Sequence, residues 1–358
     1  MLKMAVTKAS PAELKKKPAP GRALGFGKIL TDHMFVMDYD EKQGWHHPRI
    51  EPYHPFPLDP ATLVLHYGQE VFEGMKAYRW KSGEIYLFRP RMNYERLNRS
   101  ARRLCMPEIT VEDALEATRE LVRVEKDWVP AEFGSSLYIR PNMIATEAAL
   151  GVHISTKYIF YIIVGPVGAY YPQGFNPTDI YVTEKYTRAA LGGLGEVKTV
   201  ANYAASLKAQ KEAQDLGYTQ VLWLDALERK FVEEVGTSNI FFFIGDELIT
   251  PSLTGTILAG VTRDSVIHMA RDWGMNVSER RIGLEEVLSA NEAGTLKEIF
   301  ASGTAAVISP VGKLAYREKT HLVNNGKVGP LAQKLYDQIM GIQYGKLKDP
   351  YGWVERVV

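Results

Sequence analysis

The sequence predicts a two-domain α+β protein, and three observations carry that prediction. Strand-like segments, alternating or rich in β-branched and aromatic residues, interleave with amphipathic helical segments along the whole chain, the signature of layered sheets and helices. The length of 358 residues is more than one core of ordinary size occupies. A Gly- and Pro-rich stretch, Gly165 to Pro177 (GPVGAYYPQGFNP), interrupts the alternation near the middle of the chain and reads as a linker. The expected organisation is a flexible arm over 1–24, a small two-layer α/β domain over 25–167, a linker over 168–178 and a larger domain over 179–358.

Taken in order, the arm (MLKMAVTKASPAELKKKPAP at its start) is Lys-, Ala- and Pro-rich and lacks the apolar stretch of a secretory signal. Met34 to Met37 is a short apolar strand. Leu63 to Arg79 reads as strand, short turn or helix, then strand. Glu84 to Arg89 (EIYLFR) alternates as a strand does, and Pro90 stops it. Asn93 to Leu104 has helical spacing with arginines on its polar face. Val111 to Val124 is amphipathic, with Ala114, Leu115, Thr118, Leu121 and Val122 on one face. Leu137 to Pro141 and Tyr158 to Val164 (YIFYIIV) are strands.

Past the linker, Ile180 to Thr183 is a strand. A helix follows Lys198 and runs to about Leu216, with Ala205, Ala209, Ala213 and Leu216 on one face and Gly217 as its stop. Gln220 to Asp225 is a strand. Asn239 to Ile244 and Glu247 to Thr250 flank Gly245-Asp246 as a hairpin. Thr262 to Trp273 is a helix, Asn276 to Arg281 a strand, Leu284 to Ser289 a short helix, and Glu298 to Ile308 a strand broken at Ser302-Gly303-Thr304. There is no internal repeat.

Composition excludes several function classes. A net charge of +1 gives no field that favours nucleic acid, membrane or an acidic partner. No apolar run has membrane-spanning length. Cys105 is the single cysteine, so intramolecular disulfides are impossible and a reducing, cytoplasmic setting is expected. His46, His47, His54 and His66 have no zinc-like spacing, and no metal is expected.

The stretch that carries chemistry is Leu191 to Leu207 (LGGLGEVKTVANYAASL), where Gly192, Gly193 and Gly195 lead into Lys198. Glycines let other groups approach the backbone, and a lysine so placed suits covalent chemistry. A phosphate loop is approximated here, but Val197 stands where its second glycine is required. Two acids, Glu233 and Glu234, precede a Gly236-Thr237-Ser238 turn and could hold a protonated ring nitrogen. Gly260-Val261-Thr262 opens a helix and offers amides to an anion, and Ser302-Gly303-Thr304 offers a second small-residue turn. A phosphorylated pyridine aldehyde needs all of these together.

From Phe26 onward the chain closely resembles the branched-chain amino acid aminotransferases, class IV (D-alanine aminotransferase-like) pyridoxal phosphate enzymes. The resemblance rests on EVFEGMKAYR (70–79), LFRP (87–90), SLYIRP (136–141), GPVGAYYP (165–172), VKTVANYA (197–204), EEVGTSNIF (233–241), ILAGVTR (257–263) and SGTA (302–305). It implies PLP fold type IV, in which the larger C-terminal domain is a pseudo-barrel. It implies reversible transamination between leucine, isoleucine or valine and 2-oxoglutarate, giving branched-chain 2-oxo acids and L-glutamate, with pyridoxal 5′-phosphate as cofactor.

The resemblance also implies residue roles. Lys198 would join the cofactor covalently and then shuttle the proton. Glu234 would pair with the ring nitrogen and Tyr203 with the ring's phenolic oxygen. Arg89, the amides of Val261 and Thr262, and Thr304 would hold the phosphate. Arg188, Thr237 and Leu258 would line the cofactor site. Tyr67, with amides at Thr304 and Ala305, would receive the substrate carboxylate. Phe26, Phe72, Tyr138 and Tyr170 would form the apolar pocket, and Arg140 would receive the distal carboxylate of glutamate. Leu150 and Val152 would reach a neighbouring subunit's site, which makes a homodimer the working assembly. Two departures stand out: Ala306 and Ser309 replace the CxxC pair of mammalian members, and Val200-Ala201 replaces a common Gly-Gly.

Overall fold

The structure, a computed structural model, describes residues 2–19, 21–168, 170 and 174–358. Parts of the expected linker (169 and 171–173) and of the arm (1 and 20) lie outside the described residues. The chain forms two compact units. The first is built from the described residues up to Tyr170 together with 198–200 and 341–358, and the second from 174–197 and 201–340.

The first unit contains β1 (Ala5–Val6), β2 (His33–Asp40), β3 (Gly44–Pro52), α1 (Leu63–Tyr67), β4 (Glu70–Phe72), β5 (Met75–Arg79), β6 (Ile85–Phe88), α2 (Pro90–Arg103), α3 (Val111–Val124), β7 (Ser136–Ala145) and β8 (Lys157–Val167). Its sheet runs β1-β3-β2-β8-β7-β5-β6, with β4 also on β7. The far edge beside β6 is the C-terminal strand Val354–Arg356, antiparallel to it. That segment was expected in the second domain. Its apolar anchors, Trp353 and Val357, are buried. The arm is tied down rather than free. Ala5 and Val6 pair in parallel with β3, the Ala9 amide donates to His33 Nε2, and the Lys15 amide donates to Asp32 Oδ1. Its backbone groups thereby find partners that composition alone does not reveal.

Two helices cover the sheet. α2 opens on Pro90, which fits the first turn because that N–H needs no partner. α3 is capped by Thr110, whose hydroxyl accepts the Asp113 amide, and it buries the face its spacing predicts. Tyr94, Leu97, Leu115 and Leu121 from the helices join Phe35, Leu87, Ile139 and Phe160 from the strands in one core. The segment from Leu63 begins as helix, not strand; Gly68 at φ 63° ends it and lets the chain turn into β4.

The second unit contains β9 (Thr178–Val182), α4 (Val200–Asp215), β10 (Gln220–Leu224), β11 (Val232–Val235), β12 (Asn239–Ile244), β13 (Glu247–Thr250), α5 (Val261–Asp272), β14 (Asn276–Glu279), α6 (Leu284–Glu292), β15 (Leu296–Gly303), β16 (Val307–Tyr316), β17 (Lys319–Leu322) and α7 (Pro330–Gln343). The sheet order is β11-β10-β9-β16-β15-β12-β13-β14, with β17 on β16. β11 is at one edge, yet a tight turn at Gly236 and the Val235–Ser238 bridge connect it directly to β12, deep in the order. A sheet so connected must curl, in keeping with a pseudo-barrel. On α4 the buried face is Asn202, Ala209 and Ala213; Ala205 and Leu216, expected on it, are exposed.

One buried ion pair fixes the first unit's helix layer to its sheet. Glu73, between β4 and β5, receives Arg96 Nε at 2.7 Å and Nη2 at 2.8 Å, and Asn93 Nδ2 at 2.8 Å. Burial pushes the Glu73 carboxyl up, but Arg96 with its hydrogen bonds, and the Lys198 charge, hold it below the usual carboxylate range. A depressed carboxyl stabilises the fold above its unfolded value of about 4.3 and loses that contribution as pH falls through the folded value. Arg96→Met should therefore cost about 3–5 kcal/mol at pH 7 by stranding a buried charge. In urea unfolding this loss, read against the wild type, should shrink as the pH is lowered below about 4, while Glu73→Gln/Arg96→Met, with no carboxyl at 73, should itself show no titration from this position.

Candidate active site

In the second unit the chemistry gathers around Glu234. It sits on β11 and is only 3% exposed. The Leu258 amide donates to its Oε1 at 3.0 Å and Asn239 Nδ2 at 3.2 Å. Arg188 Nε lies 2.8 Å from Oε2 as an ion pair. The same guanidinium donates through Nη2 to the carbonyls of Gly195, at 3.0 Å, and Thr256. Gly195 has to be glycine here, since a Cβ would collide with the Thr256 carbonyl oxygen. Arg188, Tyr203, Glu234, Thr237 and Leu258, all expected at a cofactor site, line one small pocket together with Val197, Asn202, Ser206 and Gly236.

Asn239 lies within EEVGTSNIF, a pattern that by itself assigns it no role. Its Nδ2 donates to Glu234 and, at 2.8 Å, to the Leu258 carbonyl. Its Oδ1 occupies the space a Cβ on Gly260 would need. Asn239 thus links Glu234 to the start of α5, whose N-cap, Gly260, makes no side-chain cap. The first-turn amides of Val261 and Thr262 accordingly remain for an anion. Asn239 also pairs across the sheet with Ser302, next to the turn that carries Thr304 and Ala305. That turn leaves Val307 at φ 63°, a strained conformation for a β-branched residue.

In the first unit the expected substrate residues form a second cluster. Lys198 is held through its backbone. Its amide donates to Ser100 Oγ at 2.9 Å, and its carbonyl accepts the Phe72 amide at 3.1 Å. Thr199 bridges Val71 and donates its hydroxyl to the Glu70 carbonyl at 2.7 Å. The Lys198 ammonium lies 4.9 Å from the Phe72 ring centroid, and the Arg140 guanidinium lies 4.7 Å from the same centroid. Arg140 Nη2 donates to the Tyr138 hydroxyl at 3.0 Å. Phe26 meets Tyr138 and Tyr170 edge-on, with centroids 4.9 and 5.1 Å away. Phe26, Phe72, Tyr138, Arg140, Tyr170 and Lys198 are therefore one connected group.

Other expected residues lie elsewhere in the first unit. Arg89 adopts φ 49° at the start of α2, with its guanidinium 4.7 Å from the Trp353 ring. Tyr67 is partly exposed and donates its hydroxyl to the Leu150 carbonyl. Leu150 and Val152 are 69% and 79% exposed. Among the described residues, no helix is long and apolar enough to cross a membrane, and no group of three or more His, Cys, Asp or Glu could hold a metal ion.

The Glu234 pocket and the start of α5 offer the chemistry that pyridoxal phosphate needs. A fixed buried carboxylate suits a protonated ring nitrogen, the Tyr203 phenol suits a ring oxygen, and the uncapped α5 amides suit a phosphate. The residues present fit the group.

Residues 70–314 match the family described as Amino-transferase class IV. Over 344 residues the chain is 55% identical to the branched-chain-amino-acid transaminase 1 of Bacillus subtilis, covering 96% of each chain. Its fold is similar to that of a branched-chain aminotransferase from Thermoproteus uzoniensis solved with norvaline, at TM-score 0.76 and 28% identity, covering 91% of this chain and 100% of that one. It is likewise similar to the branched-chain amino acid aminotransferase of T.th. solved with pyridoxamine 5′-phosphate, at TM-score 0.75 and 26% identity, covering 90% of this chain and 98% of that one. With its fold, its motifs and this extent of identity in agreement, the chain belongs to the class IV aminotransferases.

Proposed function

We propose that the protein transfers the amino group reversibly between leucine, isoleucine or valine and 2-oxoglutarate, with pyridoxal 5′-phosphate as cofactor. The observation that carries this reading is the shared Phe72 ring, which has the Lys198 amine and the Arg140 guanidinium packed against it. An aromatic pocket with a cation at its edge suits a substrate pair of which one member is apolar and the other a dicarboxylate. The 55% identity to a branched-chain transaminase supports the same substrate class.

Pyridoxal phosphate, when bound, supplies a carbonyl that accepts the amino group and a protonated ring that takes up the electrons left at Cα. The residues do the rest. Lys198 would anchor the cofactor; its amine, released when substrate binds, would take the proton from the substrate Cα and return it. Glu234 would keep the ring nitrogen protonated, and Arg188, Asn239 and the Leu258 amide would keep Glu234 in place. Tyr203 would bond the ring oxygen. Arg89, the amides of Val261 and Thr262, and Thr304 would bind the phosphate, with Thr237 beside it. Tyr67 and the amides at Thr304 and Ala305 would take the substrate carboxylate. Phe26, Phe72, Tyr138 and Tyr170 would bury the branched side chain. One methylene is worth only about 1–3 kcal/mol in such a pocket, so all three branched amino acids should be accepted. Leu150 and Val152 would serve the site of a second copy, making a cytoplasmic homodimer the working form.

Lys198→Ala should lose the near-visible absorption band of the bound cofactor and all amino transfer while keeping the wild-type far-UV spectrum. If turnover persists in that variant, the role of Lys198 is wrong. Adding leucine alone to the wild type should shift the band; a band that leucine leaves unchanged removes the branched-chain assignment. Arg140→Gln should raise KM for glutamate by about 10- to 100-fold, the loss of one charge-assisted contact, and change KM for leucine by less than about threefold. Equal effects on both substrates would remove Arg140 from its assigned role.

A further inference from the structure

The second unit holds a larger cavity, of about 480 Å³, that the proposed reaction does not use. It is lined by Ala190, Leu227, Phe231, Val232, Pro251 and Ile257, and Glu233 and Thr256 also face it. Its size is that of a small-molecule site, and its walls are mostly apolar. At its edge Leu191 and Leu227 are 72% and 86% exposed, so solvent reaches it.

Glu233 gives this cavity its chemistry. Successive side chains of a strand point to opposite faces, so Glu233 and Glu234 on β11 face different surroundings. Glu233 is 6% exposed. The Thr256 hydroxyl donates to its Oε1 at 2.6 Å, whereas its Oε2 is buried with no hydrogen-bond partner among the described residues. A buried polar atom without a partner is costly and calls for an explanation. Burial pushes the Glu233 carboxyl up, against the lowering by Thr256 and Arg188. The other charges at the cavity are already committed. Asp225 accepts the amides of Glu228, Lys230 and Phe231 at 2.7–2.9 Å. Arg281 stacks on Phe231 at 3.5 Å and pairs with Glu228 at 3.2 Å. What remains is an apolar chamber with one unmet carboxylate oxygen.

We propose that this cavity binds a small apolar cation, an alkyl- or aralkylammonium whose N–H is received by Glu233 Oε2 while its hydrocarbon body packs against Phe231, Leu227 and Ile257. The site is independent of the transaminase reading, since none of its residues takes part in that reaction.

The test is calorimetric titration of the cofactor-loaded protein with N,N-dimethylbenzylammonium, a tertiary amine that cannot condense with a carbonyl and so cannot report on the cofactor. Saturable binding of one molecule per chain is expected. It should weaken at least about tenfold in Glu233→Gln, which keeps the shape and removes the charge, and in Ala226→Phe, where a ring on a further lining residue fills the chamber. Absence of saturable binding up to about 10 mM overturns the proposal, as does wild-type affinity in either variant. Should either variant fail to fold, a crystal of the wild type with the 4-bromo analogue decides. A bromine anomalous peak within the chamber beside Phe231 supports the site, and one placed elsewhere overturns it.

Discussion

The second unit depends on the burial of one carboxylate, Glu234. A charge taken out of water is tolerated only with close partners. Glu234 obtains them from three different places in the sequence: Arg188 before α4, Asn239 on β12, and the Leu258 amide before α5. Each partner is itself fixed by another contact. Arg188 is anchored on the carbonyls of Gly195 and Thr256, and Asn239 on the Leu258 carbonyl and against Gly260. The curl of the sheet follows the same logic. β11 must run into β12 through the short turn at Gly236 for Asn239 to reach a carboxylate on the strand that precedes its own in sequence.

In the first unit, the corresponding constraint is the short stretch of chain around Lys198. The lysine is positioned through its backbone. Residues 198–199 run beside β4, with the Lys198 carbonyl on the Phe72 amide and the Thr199 hydroxyl on the Glu70 carbonyl. Phe72 and Glu73 are consecutive, so the register that places Phe72 under the lysine ammonium also fixes Glu73 in its pair with Arg96. The amine is thus set by a backbone ladder on one side and by a neutralised buried charge on the other. Both devices are stiffer than a flexible lysine stem.

Sequence patterns revealed the elements whose burial is one-sided. α3 announced its buried face through its spacing, and Ala114, Leu115, Thr118, Leu121 and Val122 are all buried. Patterns failed where an element's partners are remote. β3 (GWHHPRIEP) carries a proline and few apolar residues; it is a strand because β2 lies along one side and the arm pairs at the other. The strand Val354–Arg356 needs β6, which is far away in sequence. The helical face of α4 was assigned from its alanines, but packing against Trp223 and Val221 chose Ala209 and Ala213 over Ala205. For the site, a lysine, an acid and an arginine could be named from their motifs. Asn239 could not, because its role is to hold Glu234 and exists only once the sheet has curled.

The pair Glu233-Glu234 shows how little sequence separates two environments. Adjacent acids on a strand look interchangeable, and a solvated turn would treat them so. Period-two geometry sends them to opposite faces, where Glu234 meets an arginine, an amide donor and a backbone N–H, and Glu233 meets one hydroxyl and a hydrocarbon-lined space. The segment 256–258 serves both: Thr256 gives its hydroxyl to Glu233 and its carbonyl to Arg188, and two residues later Leu258 gives its amide to Glu234. Any movement of that segment must change the partners of both carboxylates together. The side of β11 that holds no assigned reaction chemistry is therefore mechanically joined to the side that does, through three residues of backbone.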